Sequence, residues 1–286
     1  MRDFFYHAPD TLDDALALLD RHGEDARVMS GGTALVVLMK QSLVQADHLV
    51  SLRNVPGLSE ITQSNGELHI GALVRHREVE TSALVQQAAP LVAEVYGRVA
   101  TVRIRSAATV GGGLAHADPA QDPPPGLMVL DATVRLVSSS GERLLPVSEL
   151  FLDYYETAIR PDEIMTELIV PVVPSDARTV YLTYLPRTAD DYPTVSVAAL
   201  ARVEDGRCQE VRVALGASAP TPIRATAVEE AIRGQEVSQA NVQRAAEAVA
   251  DQVDALDDFR GSAEYKRDMA VVFTRRALEQ VLGLAQ

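Results

Sequence analysis

Residues 107–125 constrain this chain more than any other stretch. A small-residue run, Ala107-Ala108-Thr109-Val110, leads into Gly111-Gly112-Gly113, and Asp118, Pro119, Asp122 and Pro123-Pro124-Pro125 follow at once. Three successive residues without a Cβ let a backbone approach a bulky ligand and aim N–H groups at it, which suits a phosphate or pyrophosphate. A shorter echo, Ser30-Gly31-Gly32-Thr33-Ala34, lies upstream. Two glycine turns of one style point to two loops closing on one elongated ligand.

The flanking pattern places these turns in α/β surroundings. Thr11 is an N-cap candidate followed by acids, with Leu12, Ala15, Leu16 and Leu19 on one helical face and Gly23 beyond the end. Ala26–Met29 reads as a strand, Ser30–Thr33 as a turn, Ala34–Lys40 as the opening of a helix and His48–Leu52 as a second strand. Asn65-Gly66 predicts a hairpin between Leu58–Thr62 and Glu67–Ala72. Helices are expected over Arg75–Thr81 and Ala88–Ala100. Leu127–Val137 then carries a strand whose second half alternates, and a last strand covers Glu163–Val173. Pro171 and Pro174 mark the best boundary. Beyond it come an antiparallel pair, Val195–Val203 and Glu210–Leu215, and helices over 225–233, 239–253 and 263–282. The expected division is 1–55, 56–174 and 175–286.

Composition excludes whole classes. A net charge of −14, from 26 Lys+Arg against 40 Asp+Glu, argues against nucleic acid as a partner. Cys208 is the only cysteine, so the chain forms no internal disulfide and cannot supply the ligand set of an iron–sulfur cluster or a structural zinc site. The first residues lack the apolar stretch of a signal peptide, and no apolar run approaches ~18 residues, so a cytoplasmic protein without membrane insertion is expected.

The residues around the glycine loops admit several chemistries. Gly111-Gly112-Gly113 does not continue as GxGxxG, because His116 stands at the last glycine position, and no P-loop sequence exists. His116, Asp118 and Asp122 are close enough in sequence to converge on an ion; alternatively Asp118 caps the turn with Pro119 and His116 bonds backbone. No further cluster completes a metal pattern, so no metal ligands are assigned. Arg103 and Arg105 stand at strand spacing, which would put both on one face to counter a diphosphate or merely leave them at a solvated edge. Arg187, Asp190, Asp191 and Tyr192 lie between two strand candidates, where an acid could accept from a heterocycle's ring N–H or simply solvate a turn.

The combined pattern resembles the FAD-binding medium subunit of the molybdenum hydroxylases, as in carbon monoxide dehydrogenase and the flavin domain of xanthine dehydrogenase. The most specific part is Ile104 to Asp122, similar to the family's I-R-N-x-A-T-I/V-G-G-N-I/L-x-x-x-x-P-x-x-D, and Ser30 to Leu35 resembles its A-G-G-T-D/N-L. The resemblance implies an α+β architecture. Two α/β subdomains of the vanillyl-alcohol-oxidase (PCMH) type would hold FAD non-covalently, with a C-terminal α+β domain behind. It implies cofactor contacts from Ser30, Gly31, Gly32, Thr33, Ala34 and Leu35, and from Arg105, Ser106, Thr109, Gly111, Gly112, Gly113, His116, Ala117, Asp118 and Asp122. Both double-glycine turns would give N–H groups to the pyrophosphate, with hydroxyls from Thr33, Ser106 and Thr109 beside them, and Asp122 would bind ribityl or ribose hydroxyls. Arg187 and Asp191 fall on the family's loop beside the isoalloxazine. Three departures stand out: Gly113 and Ser106 replace asparagines, and Ala34 stands where Asp or Asn is frequent.

The same resemblance implies a function. A large molybdopterin subunit would hydroxylate substrate, a small 2Fe–2S subunit would relay electrons, and this chain would collect them on FAD for an external acceptor, with no catalytic side chain of its own. By analogy the assembly would be a dimer of heterotrimers. A stand-alone FAD-dependent oxidase and a nucleotide-binding regulatory subunit without redox activity are the alternatives.

Overall fold

The computed structural model describes residues 2–185 and 192–285. The chain opens with β1 (Phe5–His7), α1 (Leu12–His22), β2 (Ala26–Met29), α2 (Leu35–Lys40) and β3 (His48–Ser51). These strands form a parallel sheet in the order β1-β3-β2. Thr11 caps α1 by accepting from the N–H of Asp14, and Ala15, Leu16 and Leu19 bury its apolar stripe against Ala26, Val50 and Leu52. The other face of the sheet packs Leu49 against Met39 of α2 and Ala46.

A second layer follows with β4 (Ile61–Ser64), β5 (Glu67–Gly71), α3 (His76–Thr81), α4 (Ala83–Ala88), α5 (Pro90–Arg98), α6 (Val102–Arg105), α7 (Val110–His116) and α8 (Pro123–Val129). It is completed by β6 (Thr133–Ser138), β7 (Gly141–Pro146), the short pair β8 (Phe151–Asp153) and β9 (Glu156–Thr157), and β10 (Ile164–Pro171). The sheet is antiparallel, β4-β5-β10-β6-β7, with Asn65-Gly66 turning β4 into β5. Leu68, Ile70, Val134, Leu136 and Leu168 bury its inner face under α5, α7 and α8.

The last part holds β11 (Arg178–Tyr184), β12 (Val195–Glu204), β13 (Arg207–Gly216), β14 (Ile223–Arg224), α9 (Thr226–Ile232), α10 (Gln239–Glu247) and α11 (Ala263–Val281). Its antiparallel sheet runs β11-β12-β13-β14. Val195, Val197, Ala199 and Ala201 face the helices, while Ala198 and Leu200 point the other way into the core around α5 and α8. With both faces covered, β12 is apolar at nearly every position instead of alternating.

Three sequence expectations need correction. Arg103 and Arg105 lie on the short helix α6, so they do not share a strand face. Leu127–Val129 ends α8 and the strand begins only at Thr133; three prolines fit the first turn of α8, where N–H groups lack helical partners in any case. Gly111-Gly112-Gly113 is not a turn but the opening of α7, capped by the Thr109 side chain. Its glycines answer to packing. A Cβ at Gly111 would stand 2.7 Å from the Ala72 Cβ, one at Gly112 2.6 Å from Ser30 Oγ, and one at Gly113 3.0 Å from His76 Nε2.

Candidate functional site

The two glycine segments meet face to face. A Cβ at Gly31 would fall on the carbonyl oxygen of Ala107, so backbone rests directly on backbone there. Ser30 Oγ and Thr109 Oγ1 lie 2.9 Å apart and share a hydrogen bond, which ties the β2–α2 loop to the start of α7. Gly32, at φ +70°, turns the chain into α2 in a region that side chains rarely adopt.

The amide donors divide unequally between the segments. Among the described residues, the N–H groups of Gly31, Gly32, Thr33, Ala34 and Leu35 have no hydrogen-bond partner, although these residues are half-buried. The last three of these N–H groups open α2, where a helix leaves its first donors unpaired, so the row is available to an acceptor. On the second segment most donors are spent. Val110 donates to the Val74 carbonyl at 2.9 Å, Gly111 to Ala72 at 2.9 Å and Gly113 to Thr109 at 2.8 Å. Gly112 is held more loosely, at 3.2 Å from Thr109 Oγ1, and Thr109 keeps its own N–H without a partner among the described residues. Both glycine runs are expected to offer amides to a pyrophosphate, and the N–H groups without a partner lie mainly on the first.

His76 explains the missing asparagine at 113. Its ring is buried against Tyr96, and Nε2 lies 3.0 Å from the Thr109 carbonyl oxygen. Burial pushes its pKa down to about 4, against the raising influence of the Thr109 contact, so the ring is neutral and donates Nε2–H. It occupies the space where a side chain at 113 would begin.

Arg105 is committed to the protein. Its Nε donates to Glu80 at 2.9 Å and its Nη1 to the carbonyls of Val99 and Ala100 at 3.0 and 2.8 Å, with the side chain only 13% exposed. It fixes the turn before α6 and so the height of the glycines. Ser106 donates its hydroxyl back to Val102 at 2.8 Å.

The far end of α7 gathers acids and aromatics. Ala117 adopts the left-handed conformation and ends the helix. Asp118 accepts from the Ala120 N–H at 2.9 Å, the cap foreseen from Pro119, and from the Tyr155 hydroxyl at 3.3 Å. His116 lies 5.3 Å from the Tyr155 ring, its pKa lowered by burial and raised in part by Asp118. Tyr192 also reaches Asp118, with Arg260 5.5 Å above its ring. Asp122 accepts from the Tyr181 hydroxyl at 2.8 Å, a partner that neither His116 nor Asp118 shares, and burial lifts its pKa to about 6. His116, Asp118 and Asp122 therefore do not converge as a ligand set. Arg187 and Asp191 lie outside the described residues. Tyr155, which the pattern analysis missed, carried one faint signal: Tyr154-Tyr155 is an adjacent aromatic pair in a chain with 5% aromatics.

Two family models match in tandem: "FAD binding domain in molybdopterin dehydrogenase" over residues 2–173 and "CO dehydrogenase flavoprotein C-terminal domain" over residues 180–281. The chain is 32% identical over 284 residues to the 6-hydroxypseudooxynicotine dehydrogenase complex subunit alpha of Paenarthrobacter nicotinovorans, spanning 99% of this chain and 96% of that protein. It is 32% identical over 275 residues to the carbon monoxide dehydrogenase medium chain of Hydrogenophaga pseudoflava, 96% of each. Among solved structures, carbon monoxide dehydrogenase from Hydrogenophaga pseudoflava superposes with a TM-score of 0.96 at 33% identity, over 100% of this chain and 99% of that one. Quinoline 2-oxidoreductase from Pseudomonas putida 86 superposes with a TM-score of 0.93 at 31% identity, over 99% and 98%.

Proposed function

We infer the role of this chain from the family to which it belongs, the FAD-binding medium subunits of the molybdenum hydroxylases. It carries FAD, receives electrons from an iron–sulfur subunit and delivers them to an external acceptor, as the flavoprotein component of an oxidoreductase. The observation that carries this reading is the pairing of whole-length family membership with the row of unspent amides at Gly31–Leu35. When bound, FAD supplies the means to take up electrons singly and release them as a pair.

The chain's own residues hold and orient that group. Gly31, Gly32, Thr33, Ala34 and Leu35 offer amides to the pyrophosphate, with the Thr109 N–H and the loosely held Gly112 N–H opposite. Ser30 and Thr109 lock the two segments at the spacing they need. Arg105 and His76 act as positioning residues beneath the glycines, while Gly111 and Gly113 let α7 pack closely on Ala72 and His76. Ser106, His116, Ala117 and Asp118 complete the cradle, and Asp122 takes a hydroxyl of the ribityl or ribose. Arg187 and Asp191 are assigned to the isoalloxazine edge. No side chain is required as a general acid or base.

The partners are a large molybdopterin-binding subunit and a small 2Fe–2S subunit, and the full assembly is a dimer of heterotrimers in the cytoplasm. No helix among the described residues is long and apolar enough to cross a membrane. The test is to purify the chain alone: it should be yellow, and acid precipitation should leave the flavin in the supernatant. A colourless protein that FAD does not reconstitute overturns the flavin role, and flavin retained in the pellet overturns non-covalent binding.

A further inference from the structure

Half of the chain's 6 histidines meet outside the residues assigned to the flavin. His7 ends β1, His48 begins β3 and His22 ends α1, so three separate segments contribute one imidazole each. The His22 and His48 rings stack with centroids 3.6 Å apart, and the His7 ring lies 5.2 Å from His48 and 5.8 Å from His22. One ring nitrogen from each falls within 4.8 Å of the other two, and His7 Nε2 is 3.0 Å from His48 Nδ1. All three are half-buried, and an open hollow lined by Arg2, Phe5, Asp47 and His48 lies beside them.

We propose that His7, His22 and His48 form a binding site for a borderline divalent transition-metal ion of the zinc type, with solvent completing the coordination. Zinc held by imidazole at about 2.0–2.1 Å in a tetrahedron keeps its ligand nitrogens roughly 3.3 Å apart. The His7–His48 pair already spans such an edge, and His22 has about 1.5 Å at most to close, which a ring rotation supplies. The ligand type excludes magnesium and calcium, which take oxygen donors, and favours zinc, copper or nickel.

The His7–His48 contact takes a single hydrogen, and His22 makes no side-chain hydrogen bond among the described residues. Burial first, then the neighbouring His48, His7 and Arg21, holds the His22 pKa below its ordinary value. A divalent ion adds three bonds. Asp25 faces His22, and Asp47, next to His48, offers a second carboxylate 3.5 Å from Arg2, so the added positive charge meets nearby negative charge. Phe5 stacks on His48 at 5.3 Å and restricts its ring. The ion would staple β1, β3 and the end of α1.

The experiment uses the full, tag-free chain, stripped with chelator and titrated with Zn²⁺ by calorimetry at about pH 7.5, where imidazole is mostly neutral. One ion should bind per chain, and His22→Gln and His48→Gln should each weaken binding at least ~10-fold. Thermal melts supply a second readout: Zn²⁺ should raise the midpoint of the parent protein and leave that of each variant unmoved. The metal-free midpoints of the variants establish that they fold. Failure to bind Zn²⁺ below about 1 mM, an affinity worth only ~4 kcal/mol, or binding that survives both substitutions, overturns the proposal.

Discussion

Asp122→Asn separates what the fold requires of Asp122 from what a ligand requires. Asp122 stands just before α8 without a capping hydrogen bond from its side chain, and its Oδ1 accepts from Tyr181 at 2.8 Å. Burial raises its pKa from 3.8 to about 6, even though Tyr181, the Arg98 charge and its own N–H all pull the other way. The folded state therefore binds the Asp122 proton more tightly than the unfolded state does. That stability is fully present below 3.8 and is lost as pH rises through about 6. Above both values the ionised carboxylate costs two pKa units at about 1.4 kcal/mol each, roughly 3 kcal/mol, which is an upper bound because the side chain keeps some solvent contact. Asparagine keeps the shape and the acceptor for Tyr181 and removes the charge. Urea unfolding of the flavin-free chain should show the variant gaining roughly 1–2 kcal/mol on the parent between about pH 4 and pH 7. Any constant offset from the new amide is separable, since only the pH-dependent part carries the reasoning. The same substitution should weaken flavin retention, because a carboxylate is the stronger acceptor for hydroxyls. A stability difference that is flat across this range refutes the account of a carboxylate kept at the protein's expense.

Three further outcomes are expected. Gly31→Ala places a methyl on the Ala107 carbonyl. Parting the two segments should cost about 1–3 kcal/mol and strip flavin from the purified chain, read as absorbance per protein; full retention would show that the segments need not touch. Arg105→Ala removes one of the two guanidinium partners of Glu80, leaving Arg77, and the donor to Val99 and Ala100. A loss of about 1–3 kcal/mol in denaturant is expected, and Arg105→Lys should not restore it, because an ammonium cannot reproduce the fork. Gly113→Ala should destabilise the chain by about 1 kcal/mol or more in the parent but much less beside His76→Ala, since His76 Nε2 is what the new methyl meets. Additive effects in that double-mutant cycle would disconnect the two residues.

Much of the fold was legible because local rules and tertiary need agree. Thr11 and Gly23 bracket α1, Asn65-Gly66 makes a hairpin, and the alternation through Val134 and Leu136 marks a half-buried strand. The places where pattern and structure part share one cause. Gly111-Gly112-Gly113 is a poor helix former in isolation, yet it opens α7 because Ala72, Ser30 and His76 leave no room for side chains and Thr109 supplies a cap. Arg103 and Arg105 alternate as a strand would, and the turn at Val99 and Ala100 winds them into α6 instead.

The site divides along the same line. The sequence by itself marked Ser30–Leu35 and Thr109–Asp122 as a pair, since a double glycine with a threonine close by is written in consecutive residues of each. Only the tertiary structure decided which of their amides are free, because that depends on carbonyls at Ala72 and Val74, in the connection that follows β5. The same holds for His7, His22 and His48. Nothing in their spacing relates them, and the parallel pairing of β1 with β3, with α1 laid across it, brings their rings together. Short-range chemistry is encoded where it stands in the chain, whereas contact between distant residues exists only once the sheets are built.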